Sequence, residues 1–299
     1  MMKGIEKYGI RIPFTPAGPF EIVWNFTYSC NLRCKHCYED AGSYRSELTT
    51  DQAYTAIDKL SRNATVGLPS LSISGGEPLL RKDFFEVATY AKKKIPYISI
   101  ATNGTLLTKD NVKKIKEVGI DYVEISLDGI SKEVHESFRM VSGCFEKTME
   151  GIRNCLDDKL DVCIASTAHK DNLKEIPKII ELAEELEARF IHFNYIPTGR
   201  AKKHIELDLS PQERFLLLKM MGKKIVNLYI KAKEEERKTG KTQIKVNRFF
   251  STCPQFASVV RKLTREEGYD FTVSAHYAAI RGVETVAHFL GGCGDGRLY

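Results

Sequence analysis

Short apolar runs alternate with segments of helical period over the first two-thirds of the chain. The runs fall at 22–26 (IVWNF), 70–74 (SLSIS), 97–101 (YISIA), 122–127 (YVEISL), 161–167 (DVCIAST) and 190–194 (FIHFN). They are too continuously apolar for surface strands with one wet face, and they read as parallel strands covered on both sides. Between them, apolar residues recur every three to four positions. Thr49 and Gln52 form a capping box ahead of Ala53, Ile57 and Leu60, which share one helical face. After Asp171, the residues Leu173, Ile176, Ile180 and Ala183 do the same. Repeated strand–helix units with right-handed crossovers build a doubly wound sheet or a barrel, and six in succession suit a partial barrel.

The pattern changes after Tyr195. Ser210, Pro211 and Glu213 supply an N-cap, a first-turn proline and an N3 carboxylate, which predicts a long helix over 211–235. Its end, KAKEEERKTGKTQ, is charge-rich and runs into a linker. From about 243 the periodicity is weak and the ending, GGCGDGRLY, is rich in glycine. The expected division is a lead-in at 1–20, a barrel at 21–209, a long helix and linker at 210–242, and a distinct C-terminal region at 243–299.

Composition narrows the class. The 299 residues suffice for one large core, and 42% hydrophobic with 28% charged residues excludes disorder. The start, MMKGIEKYGIRIPF, holds no apolar run of the signal-peptide kind, and no segment has the length of a membrane span, so a cytoplasmic protein without membrane association is expected. The net charge of +6 is spread along the chain among acids, without the basic stripe that nucleic-acid binding requires.

The eight cysteines change the picture, because clustered cysteines in such a chain bind metal or do chemistry. Cys144, Cys155, Cys163, Cys253 and Cys293 are scattered, but Cys30, Cys34 and Cys37 lie together after the first strand. Three thiolates on one loop can hold three corners of a [4Fe–4S] cluster, leaving the fourth iron open. Other readings compete. Structural zinc needs a second pair of ligands, a Cys34–Cys37 redox pair leaves Cys30 unexplained, and c-type haem attachment needs His where Tyr38 stands. A non-catalytic zinc or electron-transfer iron–sulfur protein is the alternative of another class.

Further motifs follow successive strands: Ser74-Gly75-Gly76-Glu77-Pro78, Ala101-Thr102-Asn103-Gly104 and Ser126-Leu127-Asp128-Gly129. Together with the cysteine triplet, they resemble the radical S-adenosylmethionine superfamily over roughly residues 20–200. The resemblance implies a partial TIM-like barrel, a [4Fe–4S] cluster on Cys30, Cys34 and Cys37, and S-adenosylmethionine on its open iron. Reductive cleavage would give a 5′-deoxyadenosyl radical that takes hydrogen from a substrate. The same resemblance assigns Gly75, Gly76, Glu77 and Pro78 to the methionine end of that cofactor. It assigns Ser126 and Asp128 to the ribose, and Asn103, Ser166 and Asn194 to further cofactor contacts, while Arg139 is either a partner for the cofactor carboxylate or an exposed helical arginine. Gly291 to Arg297 resembles the start of the SPASM auxiliary-cluster extension, here incomplete, with Cys293 as a candidate ligand of a second iron–sulfur cluster. Relatives with that extension imply a tetrapyrrole or other cofactor precursor as substrate, with a precursor peptide as the alternative. An electron donor such as ferredoxin or flavodoxin would be the partner.

Overall fold

The computed structural model describes residues 21–43, 45–62, 70–241, 248–253 and 255–269. Seven parallel strands form one sheet in chain order: β1 (Glu21–Thr27), β2 (Ser70–Gly75), β3 (Tyr97–Thr102), β4 (Tyr122–Ser126), β5 (Val162–Ala168), β6 (Arg189–Asn194) and β7 (Phe249–Ser251). Within that sheet β1 pairs only with β2 and β7 only with β6, so it curves as an open, partial barrel.

Helices α1 (Thr50–Arg62), α2 (Phe84–Lys92), α3 (Lys109–Val118), α4 (Lys132–Arg139), α5 (Cys144–Asp157), α6 (Ile176–Glu185) and α7 (Pro211–Thr239) lie between successive strands, and α8 (Gln255–Glu266) follows β7. The expected caps form. Thr49 and Gln52 exchange their hydrogen bonds ahead of α1. Ser210 and Glu213 close a full capping box at α7.

Alternation along the strands sorts the side chains onto two faces. Leu71, Ile73, Ile98, Ile100, Val123, Ile125, Val162, Ile164 and Phe190 are buried towards the helices. Each contributes about 1.5–3 kcal/mol through removal of its apolar surface from water. Tyr122, Cys163, Ala165, Ile191 and Phe250 meet on the inner face instead.

Two features differ from the sequence reading. The barrel gains a seventh strand, Phe249–Ser251, which pairs with β6 inside the region expected to stand apart. It carries only three residues, too few for a periodicity signal. Beyond it, α8 packs on α7, with Phe256, Val260 and Thr264 buried. The long helix also runs to Thr239 and not 235, ending where Gly240 takes a left-handed conformation and donates its N–H to Glu236 O. Among the described residues, no helix is long and apolar enough to cross a membrane.

Candidate active site

The loop after β1 carries the three cysteines, and hydrogen bonds tie it to four other parts of the sheet's C-terminal end. Gly76 N donates to Thr27 O at 2.7 Å and Glu77 N to Ser29 O at 2.8 Å, fastening it to the β2 loop. Asn103 Nδ2 donates to Asn31 Oδ1 at 2.8 Å, fastening it to the β3 loop. Arg33 N and Lys35 N donate to the carbonyls of Arg139 and Phe138 at the end of α4. From beyond β6, Arg200 donates from its backbone to Cys37 O and from its guanidinium to Cys34 O (3.0 Å), Ala41 O (2.7 Å) and Asp40 Oδ1 (2.9 Å).

Cys30, Cys34 and Cys37 pack together with Leu32 and Cys144. Each of the three sulfurs accepts one N–H. Leu32 N lies 3.4 Å from Cys30 Sγ, Ala41 N 3.2 Å from Cys37 Sγ, and Arg139 Nη1 3.6 Å from Cys34 Sγ. Burial pushes the Cys30 thiol up to about 11 and raises that of Cys34, the latter opposed by Arg139. Both shifts favour the protonated form of these two thiols until a metal ionises them. Among the described residues, no three His, Cys, Asp or Glu side chains converge to hold a metal ion. A cubic cluster makes a different demand, since each thiolate binds its own iron. The grouped thiols and their donors fit such a group.

Gly75 and Gly76 form the next wall. Gly75 has φ of 117°, and a Cβ there would collide with the Thr27 carbonyl, while one on Gly76 would collide with that of Ser29. The β2 loop thus lies directly against the cysteine loop. Glu77 is fully enclosed. Its oxygens accept from Thr102 Oγ1 at 2.8 and 2.9 Å, from Asn103 N at 2.9 Å and from Leu79 N at 3.2 Å. Burial raises its carboxyl to about 7 despite these bonds. Its carboxylate locks the β2 and β3 loops together. Pro78 opens the short helical turn that follows and is buried.

Asp128, also fully enclosed, accepts from Arg139 Nε at 2.6 Å and from Thr167 N at 2.8 Å. Arg139 Nη2 contacts the same carboxylate. Arg139 is buried, not an exposed helical residue. Burial opposes its charge, but Asp128 and Cys34 outweigh that and raise its pKa above the usual value. A linked chain, Asp128–Arg139–Cys34, therefore runs from β4 to the cysteine loop. Beside it, the Phe138 ring lies between those of His36 and His169, with centroids 4.5 and 3.8 Å away.

Ser126 is half-buried at the end of β4. Ser166 is enclosed on the strand face of Ile164 and Ala168, which turn towards the helices, and its hydroxyl has no hydrogen-bond partner. Asn194 is half-buried, and its Oδ1 also lacks a partner. Cys293 and the glycine-rich ending lie outside the described residues. Sequence reasoning passed over Arg200 and the buried state of Arg139. Both were visible as residue types, but the contacts that define them cross long stretches of chain.

Residues 24–183 match the family described as "Radical SAM superfamily". An AdoMet-dependent heme synthase of Methanosarcina barkeri is 37% identical over 262 residues, covering 86% of this chain and 69% of that protein. An Fe-coproporphyrin III synthase of the same organism is 40% identical over 195 residues, covering 64% of this chain and 48% of the relative. The chain thus spans about half to two-thirds of the length of these relatives. Among solved structures, Streptococcus suis SuiB bound to S-adenosylmethionine superimposes with a TM-score of 0.60 at 16% identity, over 87% of this chain and 55% of SuiB.

Proposed function

Since the chain belongs to the radical SAM superfamily, we propose that it is an enzyme that opens a radical reaction on a tetrapyrrole substrate. The observation that carries the enzymatic reading is the cysteine loop, where three sulfurs each accept one N–H and sit among the strand ends that hold the glycine wall. When bound, the [4Fe–4S] cluster and S-adenosylmethionine supply an electron and a carbon-centred radical able to take hydrogen from an unactivated C–H bond.

The chain's own residues do the holding. Cys30, Cys34 and Cys37 are the three protein ligands of the cluster. The backbone of Gly75 and Gly76 admits the cofactor's methionine end where a Cβ would block it. Glu77 fixes that wall from behind through Thr102 and Asn103. Asp128 holds Arg139 beside Cys34, while Ser126 and Asn194 offer polar atoms at the ends of β4 and β6. Cys293 is a candidate ligand of a second cluster, and a small low-potential donor such as ferredoxin or flavodoxin supplies the electron.

The tetrapyrrole reading is supported by the names of the two Methanosarcina relatives. Anaerobic reconstitution should give an iron–sulfur signal in EPR that changes on adding S-adenosylmethionine, followed by its reductive cleavage to methionine. Iron coproporphyrin III should bind and be transformed, with its visible absorption as readout. Reductive cleavage at an undiminished rate by Cys34→Ala would overturn the enzymatic reading. Failure of the porphyrin to bind, with a precursor peptide modified in its place, would overturn the substrate.

A further inference from the structure

The cysteine loop is held on one edge by the β2 loop, where the reading above seats the cofactor. It is held on another by the end of α4, through Arg33 N and Lys35 N on the carbonyls of Arg139 and Phe138. The two residues that follow there have no role so far. Met140 ends α4 in the left-handed conformation, with φ of 61°, which residues with a side chain avoid. Its side chain is 53% exposed although apolar. Val141, next in the chain, packs on the cluster of Leu32, Cys34 and Cys144. At this edge the chain therefore passes from the cysteines to an exposed apolar side chain within two residues.

The charge around this edge is one-sided. Arg33 and Lys35 flank Cys34 in the chain. The Arg33 guanidinium donates to two carbonyls, Cys30 O at 2.8 Å and Leu32 O at 2.9 Å, and so keeps its charge uncompensated. The turn at Gly199–Leu207 joins the same loop, with Arg200 N on Cys37 O, and buries Ala201 and Leu207 against Phe138. It presents Lys202, Lys203 and the apolar Ile205 to solvent. Among the described residues, none of Arg33, Lys35, Lys202 and Lys203 forms an ion pair.

The acids nearby are spent elsewhere. Glu39 pairs with Arg45 and Asp40 with Arg200. Glu136 of α4 accepts from Gly143 N at 2.7 Å and Phe145 N at 3.4 Å. Glu206, beside His204, is the single acid on the turn and does not balance its two lysines.

We propose that Met140 and Ile205, with Arg33, Lys35, Lys202 and Lys203, form the docking face for a small acidic electron-transfer protein. The electron then crosses the α4 edge of the cysteine loop. This rests on the radical-enzyme reading above, which requires a one-electron donor. Short-lived redox encounters use small faces, and like-signed charge around an apolar centre raises the rate of meeting an oppositely charged partner. With a flavodoxin as donor, the anionic flavin hydroquinone loses one electron and becomes the neutral semiquinone, with no proton released. That electron enters the oxidised cluster.

The test uses the cluster-loaded chain and an acidic flavodoxin. Calorimetry measures binding of the oxidised flavodoxin, and stopped-flow absorbance measures how fast its hydroquinone bleaches the cluster. Photoreduced deazaflavin serves as a small reductant that needs no docking face. Lys35→Glu with Lys202→Glu and Lys203→Glu should weaken binding and slow reduction by flavodoxin about tenfold or more at about 20 mM salt. The difference should shrink at about 300 mM salt, where screening shortens the reach of charge. Bleaching by deazaflavin should match wild type. Lys219→Glu with Lys223→Glu and Lys231→Glu makes the same charge change on exposed positions of α7 and should leave both readouts near wild type. Met140→Gly suits the left-handed backbone, so it should fold and still bind flavodoxin severalfold more weakly. It decides the matter if the lysine variant loses iron. The proposal is overturned if the loop variant takes electrons from flavodoxin at the wild-type rate, if the α7 variant loses as much, or if Met140→Gly binds as wild type does. A protein that deazaflavin cannot bleach defeats the radical-enzyme reading. Normal bleaching by deazaflavin without charge-dependent binding of flavodoxin defeats the docking face alone.

Discussion

Replacing Asp128 by Asn removes one charge from the buried chain that ends at Cys34, and the consequence can be worked from the contacts. The carboxylate accepts two N–H groups of Arg139 and the backbone N–H of Thr167. The side chains of Asp128 and Arg139 are 0% and 8% exposed, so solvent screens the pair little. Removing one partner of such a pair leaves an uncompensated buried charge, which costs about 3–5 kcal/mol. Replacing both by apolar residues of similar volume, as in Asp128→Leu with Arg139→Met, removes the charge as well and should cost far less. Anaerobic urea unfolding at pH 7.5, followed by circular dichroism, gives the measurement. With a slope of about 3 kcal/mol per molar, the Asn variant should lower the midpoint by roughly 1 M or more, and the double variant should recover most of that loss. A midpoint for Asp128→Asn within about 0.3 M of wild type, or a double variant worse than the sum of the singles, would refute the pairing argument.

Two further outcomes follow from the same loops. Gly76→Ala would push a methyl into the Ser29 carbonyl, so the cysteine loop must shift; we expect a loss of about 1–3 kcal/mol in stability together with fewer irons bound per chain, measured by unfolding and iron assay. Glu77 titrates at about 7 against an ordinary 4.5, so the stability it contributes is fully present below pH 4.5 and disappears as pH rises through 7. That rise corresponds to on the order of 3 kcal/mol, and the stability of wild type relative to Glu77→Gln should fall by most of that between pH 5 and pH 8. Parallel pH profiles for the two proteins would contradict it.

Much of the architecture was legible because it depends on local pattern. The six strands predicted from continuous apolar runs stand within a residue or two of their observed ends, and the caps at Thr49 and Ser210 formed from nearest-neighbour chemistry. The short Phe249–Ser251 strand was not legible, since three residues carry no period and its partner lies over fifty positions earlier. α8 left only a thin signal in Phe256, Val260 and Thr264, spaced four apart, since just two of these three buried positions are apolar. In the site, residue types were readable and orientations were not. Nothing local says that Glu77 and Asp128 would spend their carboxylates on Thr102 and Arg139. Nothing local tells that Ser166 would share the helix-side face of Ile164 either. Such facts depend on which strands become neighbours.

The grip of Arg200 on the cysteine loop has a consequence for the order in which the protein is made. The two segments are separated by about 160 positions, yet Arg200 supplies hydrogen bonds to Cys34 O, Ala41 O and Asp40 that hold the far side of that loop. During synthesis the cysteines emerge early and remain without this restraint until β6 and its following turn have left the ribosome. At about 5–20 residues per second, that interval is roughly 8–30 s. For that time the nascent chain carries exposed thiols, open to oxidation and to adventitious metal, and the shaped cysteine loop proposed to hold the cluster comes into being only when the sixth strand docks.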